Sequence, residues 1–225
     1  YRVSPMAQET QLFDGRLERI ADLLRGLLPD HPTGVLVAGV GNTAITADAL
    51  GPETNRYVLA TRHIAGELRR ALGPLTDVST VTTGVLGNTG MESAEVVAGM
   101  VHTVHPDCVL VVDALAASSA DRLGTTVQLS NAGIAPGSGV GNHRAALNRE
   151  TLGVPVIAVG VPTVVDAGTL AADILAEAGI AVESGVMEEE ARRMLAPYLT
   201  RQTKKRSHVT LKLAVSADGM IGVKG

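Results

Sequence analysis

Apolar residues along this chain gather into short unbroken runs and into stretches spaced three or four apart, and the two patterns alternate. The runs at 35–40, 108–112 and 154–161 are too short for helices and are bounded by turn residues, so each predicts a buried parallel strand, and 78–83 reads as a further strand. The spaced stretches predict helices. One covers 14–28, with Leu17, Ile20, Leu23, Leu24 and Leu27 on one face; a long one covers 47–72, interrupted near Gly51-Pro52 and stopped by Gly73-Pro74. Others cover 92–104, closed by Pro106, then a short piece at 116–123, then 165–178 and 188–199. Residues 84–90 read as a turn, 125–129 as extended and the Gly- and Pro-rich 131–141 as a loop. This βαβα succession predicts an α/β fold, a three-layer α/β/α sandwich around a mostly parallel sheet.

Two of the strands lead to aspartates. The first passes through Gly41-Asn42-Thr43 to Asp48, and the third runs straight into Asp113. Ligands of open α/β sheets bind beyond the carboxyl ends of the strands, so the two carboxylates are expected in one crevice. An aspartate ending a strand also serves as a helix cap or loop turn, and it is the pairing that favours chemistry. Two neighbouring carboxylates do not easily both ionise, and a pair sharing a proton can activate water on an amide carbonyl, the logic of an aspartic peptidase.

Other chemistries find less support. No serine sits in a G-x-S-x-G elbow, and Cys108 precedes its strand where a nucleophile follows one. Gly39-Val40-Gly41-Asn42-Thr43-Ala44 matches a dinucleotide fingerprint, but Asp48 at the helix start repels phosphate and no acidic partner ends a second strand about 20 residues on. Gly137-Ser138-Gly139-Val140-Gly141-Asn142 lacks the lysine of a phosphate loop and reads as a substrate-lining or packing loop. The six histidines show no zinc-helix spacing; His63 reads as structural, and His143, beside the Gly-rich loop, is kept as a site candidate.

Composition narrows the class. The chain is 45% hydrophobic, yet holds three tyrosines, one phenylalanine and no tryptophan, so its core is packed from Val, Leu, Ile and Ala, which suits layered α/β packing. A net charge of −4 offers no basic field for nucleic acid. The single cysteine fits a reducing compartment. No apolar stretch reaches the ~20 residues of a membrane span, and no signal-peptide pattern opens the chain, so a cytosolic protein is expected. The end of the chain breaks the rhythm: Lys204-Lys205-Arg206 leads to an alternating strand-like segment at 209–215 and an Ala217-Asp218-Gly219 turn. That segment reads as an edge strand and also resembles the opening strand of the reductase domain of riboflavin-biosynthesis enzymes. Residues 1–203 are therefore expected to form the main domain and 204–225 a tail.

From Val37 to Ala167 the chain resembles the germination proteases of spore-forming bacteria. The matching blocks are Gly41-Asn42 with Thr46-Ala47-Asp48-Ala49-Leu50-Gly51-Pro52, Thr61-Arg62-His63, Gly84-Val85-Leu86-Gly87 with Thr89-Gly90, Asp113-Ala114-Leu115-Ala116-Ala117, Thr125-Thr126-Val127-Gln128, Pro136 to Asn142, and Gly160-Val161-Pro162-Thr163-Val164-Val165-Asp166-Ala167. The resemblance implies an atypical aspartic endopeptidase, related in fold to hydrogenase-maturation endopeptidases, that begins the degradation of small acid-soluble spore proteins. Its catalytic pair falls on Asp48 and Asp113, one as general base and the other as acid, in an order left open. Gly84, Gly87, Gly137, Ser138, Gly139, Asn142 and His143 are expected to line the substrate cleft. Further implications are a zymogen activated by self-cleavage, a homotetramer, no cofactor, no metal, no nucleic-acid or membrane partner, and a place in the cytoplasm of the forespore or spore core.

Departures from the family pattern are Ser118, where an arginine is usual, and Asn131, where an aspartate is usual; loss of an arginine near Asp113 is expected to alter its pKa. The family is longer at both ends, whereas this chain starts at Tyr1 and has about 60 residues after Asp166, so a shortened chain is expected. Two alternatives stay open. One is a metal-dependent maturation-like peptidase with Asp48, Asp113 and His143 as ligands; the other is a silent homologue acting as a binding or assembly module.

Overall fold

A computed structural model describes residues 15–137, 144–183, 185–198 and 200. Five strands form one sheet: β1 (Gly34–Gly39), β2 (Asp77–Thr82), β3 (Cys108–Ala117), β4 (Gln128–Ser130) and β5 (Val156–Val165), in the order β2-β1-β3-β5-β4. β2, β1, β3 and β5 run parallel, and β4 is an antiparallel edge on β5. The α/β class with a mostly parallel sheet is thus as expected.

Helices α1 (Arg16–Arg25), α2 (Leu50–Asn55), α3 (Gly66–Leu72), α4 (Leu86–Thr89), α5 (Ser93–Val104), α6 (Arg149–Leu152) and α7 (Ala167–Glu177) belong with the sheet to a compact unit ending at Ala178. A second unit begins at Gly179 and contains α8 (Glu188–Met194), acidic in its first turn and basic in its last. The predicted domain boundary at 203–204 and the tail at 204–225 lie outside the described residues.

Side-chain alternation assigns the two faces of the sheet. Leu36, Ala38 and Val40 project with Val109 and Val111 onto one face, where Ala94 and Val97 of α5 and the buried Leu147 and Leu152 complete the core. On the other face α2 comes unusually close. A Cβ at Gly39 would meet the Gly51 carbonyl oxygen at 2.3 Å, and one at Gly51 would meet the Val112 oxygen at 2.3 Å. Only glycine lets this helix start rest on the strand backbone.

Three elements differ from the sequence reading. The long helical stretch expected over 47–72, interrupted near Gly51-Pro52, is a 3₁₀ turn at Thr46–Asp48, then α2, which contains Gly51-Pro52, then, after a break at 56–65, α3. The stretch between α2 and α3 is drawn out because Thr61 and Arg62 donate backbone hydrogen bonds of 3.0 and 3.2 Å to Val78, and the Thr61 hydroxyl accepts one of 2.9 Å from the Val78 N–H, covering the free edge of β2. The helical piece expected at 116–123 is instead the end of β3 followed by a 3₁₀ turn at Ala120–Arg122. Ala114–Ala117 has helix-favouring composition, but pairing with β5 prevails. The 84–90 turn contains the one-turn α4, and α6 was not anticipated.

Candidate active site

β1 lies between β2 and β3, and the chain leaves it first toward one neighbour and later returns to the other. The crevice above the carboxyl ends of β1 and β3 is therefore the topological switch point of the sheet. A cavity of about 440 Å³ opens there, and Asp48 and Asp113 both line it. A larger depression of about 650 Å³, bordered by His31, Arg62, Arg69, Asp77 and His105, contains neither aspartate.

The two carboxylates are held differently. Asp113 lies inside β3, paired in register with Gly160, and is 4% exposed; the strand does not end there as the apolar run suggested but continues to Ala117. Its Oδ1 accepts a 2.8 Å hydrogen bond from the Ala114 N–H. Asp48 is half-buried and closes the 3₁₀ turn after β1. That turn is tied down twice: the Asp48 carbonyl accepts a 2.9 Å bond from the Asn42 N–H, and the Ala47 carbonyl accepts a 2.5 Å bond from the Thr163 hydroxyl of β5. Gly41 has φ +126°, and a Cβ on it would sit 2.0 Å from the Asp48 carbonyl oxygen. The glycines of the apparent dinucleotide fingerprint therefore serve close packing against Gly51 and Asp48.

Burial raises both acids. The Asp113 carboxyl is pushed up to about 7, chiefly by desolvation and further by the negative charge of Asp48, against the Ala114 N–H and the charge of Arg144. Asp48 is raised by desolvation and held back by the Asn42 N–H and by Arg144.

Of the expected substrate-lining residues, Gly137 borders this cavity; Gly84 and Gly87 do not, and Val85 between them does. Ser138, Gly139, Asn142 and His143 lie outside the described residues. Sequence reasoning missed Arg144, Thr163, Ser93 and Ile45, which the fold brings to the same cavity. Asp166, from the last matching block, caps α7 by accepting 2.9 and 3.0 Å bonds from the Gly168 and Thr169 N–H groups. Ser118, where the family arginine is missing, stands five residues beyond Asp113, roughly 16 Å along the strand direction, and its hydroxyl accepts from Arg122 at 3.2 Å. The cation that acts on Asp113 is Arg144.

Cys108 is fully buried and its thiol is pushed up to about 11 by desolvation, so it is a core residue and not a nucleophile. Among the described residues no three of His, Cys, Asp and Glu come together as a metal site, and no described helix is long and apolar enough to cross a membrane.

An acidic pair in a crevice at the switch point of a mostly parallel sheet defines the class: an α/β protein whose candidate active site is built from one aspartate on a strand and one on the turn that follows a neighbouring strand. The family model described as germination protease matches residues 7–212, and the chain belongs to that family. It is 47% identical over 164 residues to the germination protease of Caldanaerobacter subterraneus subsp. tengcongensis, covering 70% of this chain and 51% of that one. It is 48% identical over 147 residues to that of Clostridium acetobutylicum, covering 65% and 45%, and 45% identical over 170 residues to that of Halalkalibacterium halodurans, covering 75% and 43%. The chain thus spans about half the length of the curated relatives it matches. Among solved structures, a [NiFe] hydrogenase maturation protease, HycI, from Thermococcus kodakarensis KOD1 superposes with a TM-score of 0.42 at 18% identity, covering 69% of this chain and 95% of that one.

Proposed function

We propose that this chain is a spore-germination endopeptidase whose water is activated by Asp48 and Asp113, with small acid-soluble spore proteins as substrates. The observation that carries the proposal is the meeting of both carboxylates in one cavity at the switch point, with Asp113 raised to about 7. Asp113, the more buried, keeps the shared proton and polarises the scissile carbonyl. Asp48, half-exposed and supported by the Asn42 N–H, is the ionised member and takes a proton from water as it attacks. The tetrahedral intermediate then collapses as the amine leaves with a proton returned by the pair. Val85, Gly137 and the backbone around them border the cavity where the peptide lies.

Membership of the family and the raised carboxyls support this reading over a metal-dependent one. The assembly follows the family resemblance: we place the chain in a homotetramer made as a zymogen in the spore core. Support comes from α7, which buries none of its residues and leaves Leu170, Ile174 and Leu175 at least 40% exposed.

The test is digestion of a purified small acid-soluble spore protein by the parent chain and by Asp48→Asn and Asp113→Asn, with and without chelator, products read by mass spectrometry. Cleavage by the parent alone, insensitive to chelator, is expected. Turnover by both variants, or its loss on chelation, overturns the aspartate pair.

A further inference from the structure

The cavity that holds the two aspartates contains a third charge. Its border is drawn from the turn after β1 (Ile45, Ala47, Asp48), the turn before α4 (Val85), the start of α5 (Ser93), β3 (Asp113 to Ala116), β5 (Thr163, Val164), Ile134 to Gly137, and Arg144. Among these, Asp48, Asp113 and Arg144 are the titratable groups. Arg144 is half-buried, and no described residue forms an ion pair with it within 4.0 Å. It therefore shares one cavity with both carboxylates, and its charge acts on each of them.

The backbone just beyond Arg144 is anchored. Three residues on, Leu147 is fully buried and exchanges backbone hydrogen bonds of 2.9 and 2.7 Å with Ile134; α6 follows at once, capped by Asn148. A guanidinium is charged at every pH of interest. With one proton on the aspartate pair the three groups sum to zero; with none they sum to −1, and with two to +1. In a partly desolvated cavity an uncompensated charge is costly, so a permanent cation selects the one-proton state.

We propose that Arg144 is the counter-ion of the aspartate pair, a positioning residue that holds Asp48 and Asp113 at one shared proton and so sets the pH range of the reaction. The inference rests on the aspartate-pair reading. Both carboxyls respond to the charge of Arg144 in the same sense, being drawn toward the ionised form.

The experiment compares the full chain with Arg144→Gln and Arg144→Lys in two measurements. One is the pH profile of kcat and kcat/KM on a purified small acid-soluble spore protein. The other is the carboxyl titration of Asp48 and Asp113 by ¹³C NMR, which needs no turnover. In Arg144→Gln the acid and alkaline limbs both move to higher pH and both carboxyls titrate later; at a fixed pH on the acid limb each unit of displacement lowers the rate tenfold. Arg144→Lys returns both readouts toward the parent. A superposable profile and titration in Arg144→Gln, or a rise in KM alone, overturns the proposal and leaves Arg144 as a substrate contact. If Asp48→Asn and Asp113→Asn still cleave, the aspartate pair itself fails; if they are dead while Arg144→Gln titrates like the parent, only the counter-ion fails.

Discussion

The hydroxyl of Thr163 in β5 donates a 2.5 Å hydrogen bond to the carbonyl of Ala47, joining positions 116 residues apart and fastening the Asp48 turn to the sheet. This side chain is one of the two ties that fix where one of the acids stands relative to the other.

Thr163→Val keeps the shape and removes the bond. We expect a loss of about 1 kcal/mol in stability, as for one hydrogen bond, and a fall in cleavage rate of between about 10- and 100-fold, as for a small displacement of a reacting group. Urea unfolding and steady-state kinetics measured together check this. A rate loss no larger than the stability loss accounts for would show that the turn does not depend on the bond.

Gly41→Ala attacks the same turn from the other side. The new Cβ would overlap the Asp48 carbonyl oxygen, and φ +126° is a conformation an alanine resists. The expected outcome is a folded protein weakened by roughly 1–3 kcal/mol and depleted in activity. Gly87→Ala is the control, because nothing lies within 4 Å of a Cβ there and the residue sits in α4. It should leave stability unchanged or raise it by up to about 1 kcal/mol.

Stability should fall with rising pH as Asp113 ionises. A carboxyl that titrates at about 7 when folded and at 3.8 otherwise binds its proton more tightly in the native state, so between those values unfolding free energy decreases as pH increases. Asp48, also raised, acts in the same direction, whereas Asp107 and Asp166, both lowered, act only below 3.8. Asp113→Asn removes the Asp113 contribution. The variant should match the parent near pH 4 and exceed it above pH 7, by at most roughly 4 kcal/mol at about 1.4 kcal/mol per pH unit. Chemical denaturation across that range reads the difference directly, and parallel curves for the two proteins would contradict it.

Cys108 offers a negative control for nucleophilic chemistry. Buried and raised to about 11, it should resist iodoacetamide at pH 8 in the native protein and react once unfolded. Cys108→Ala should cost about 1 kcal/mol and leave cleavage intact.

Much of this architecture can be read from residue pattern. The runs at 35–40, 108–112 and 154–161 each mark an interior strand of the sheet, because strands buried on both faces need apolar side chains throughout, whereas the Val- and Thr-rich 78–83 marks the parallel edge strand β2. Asp48 and Asp113 follow from them, since both lie at the carboxyl ends where such sheets bind ligands. What escaped the pattern depends on contacts remote in sequence. Ala114–Ala117 is extended because β5 pairs with it, and 56–65 is non-helical because Thr61 covers β2. Arg144 reaches the cavity through the backbone pairing of Ile134 with Leu147, and no local spacing announces that closure. The near-fingerprint at 39–44 shows the reverse case: its glycines are required by close packing, which looks the same in sequence as a phosphate cradle.

Asp113 and Asp48 differ in what must break before they move. Asp113 sits on a strand flanked on both sides by parallel neighbours, so displacing it requires opening the centre of the sheet. Asp48 rides on a three-residue turn held by a few bonds, which a local fluctuation can release. The separation of the two acids is thus governed by its looser member. A peptide or inhibitory segment that presses on residues 42–48 can retune the distance between them while the sheet stays as it is.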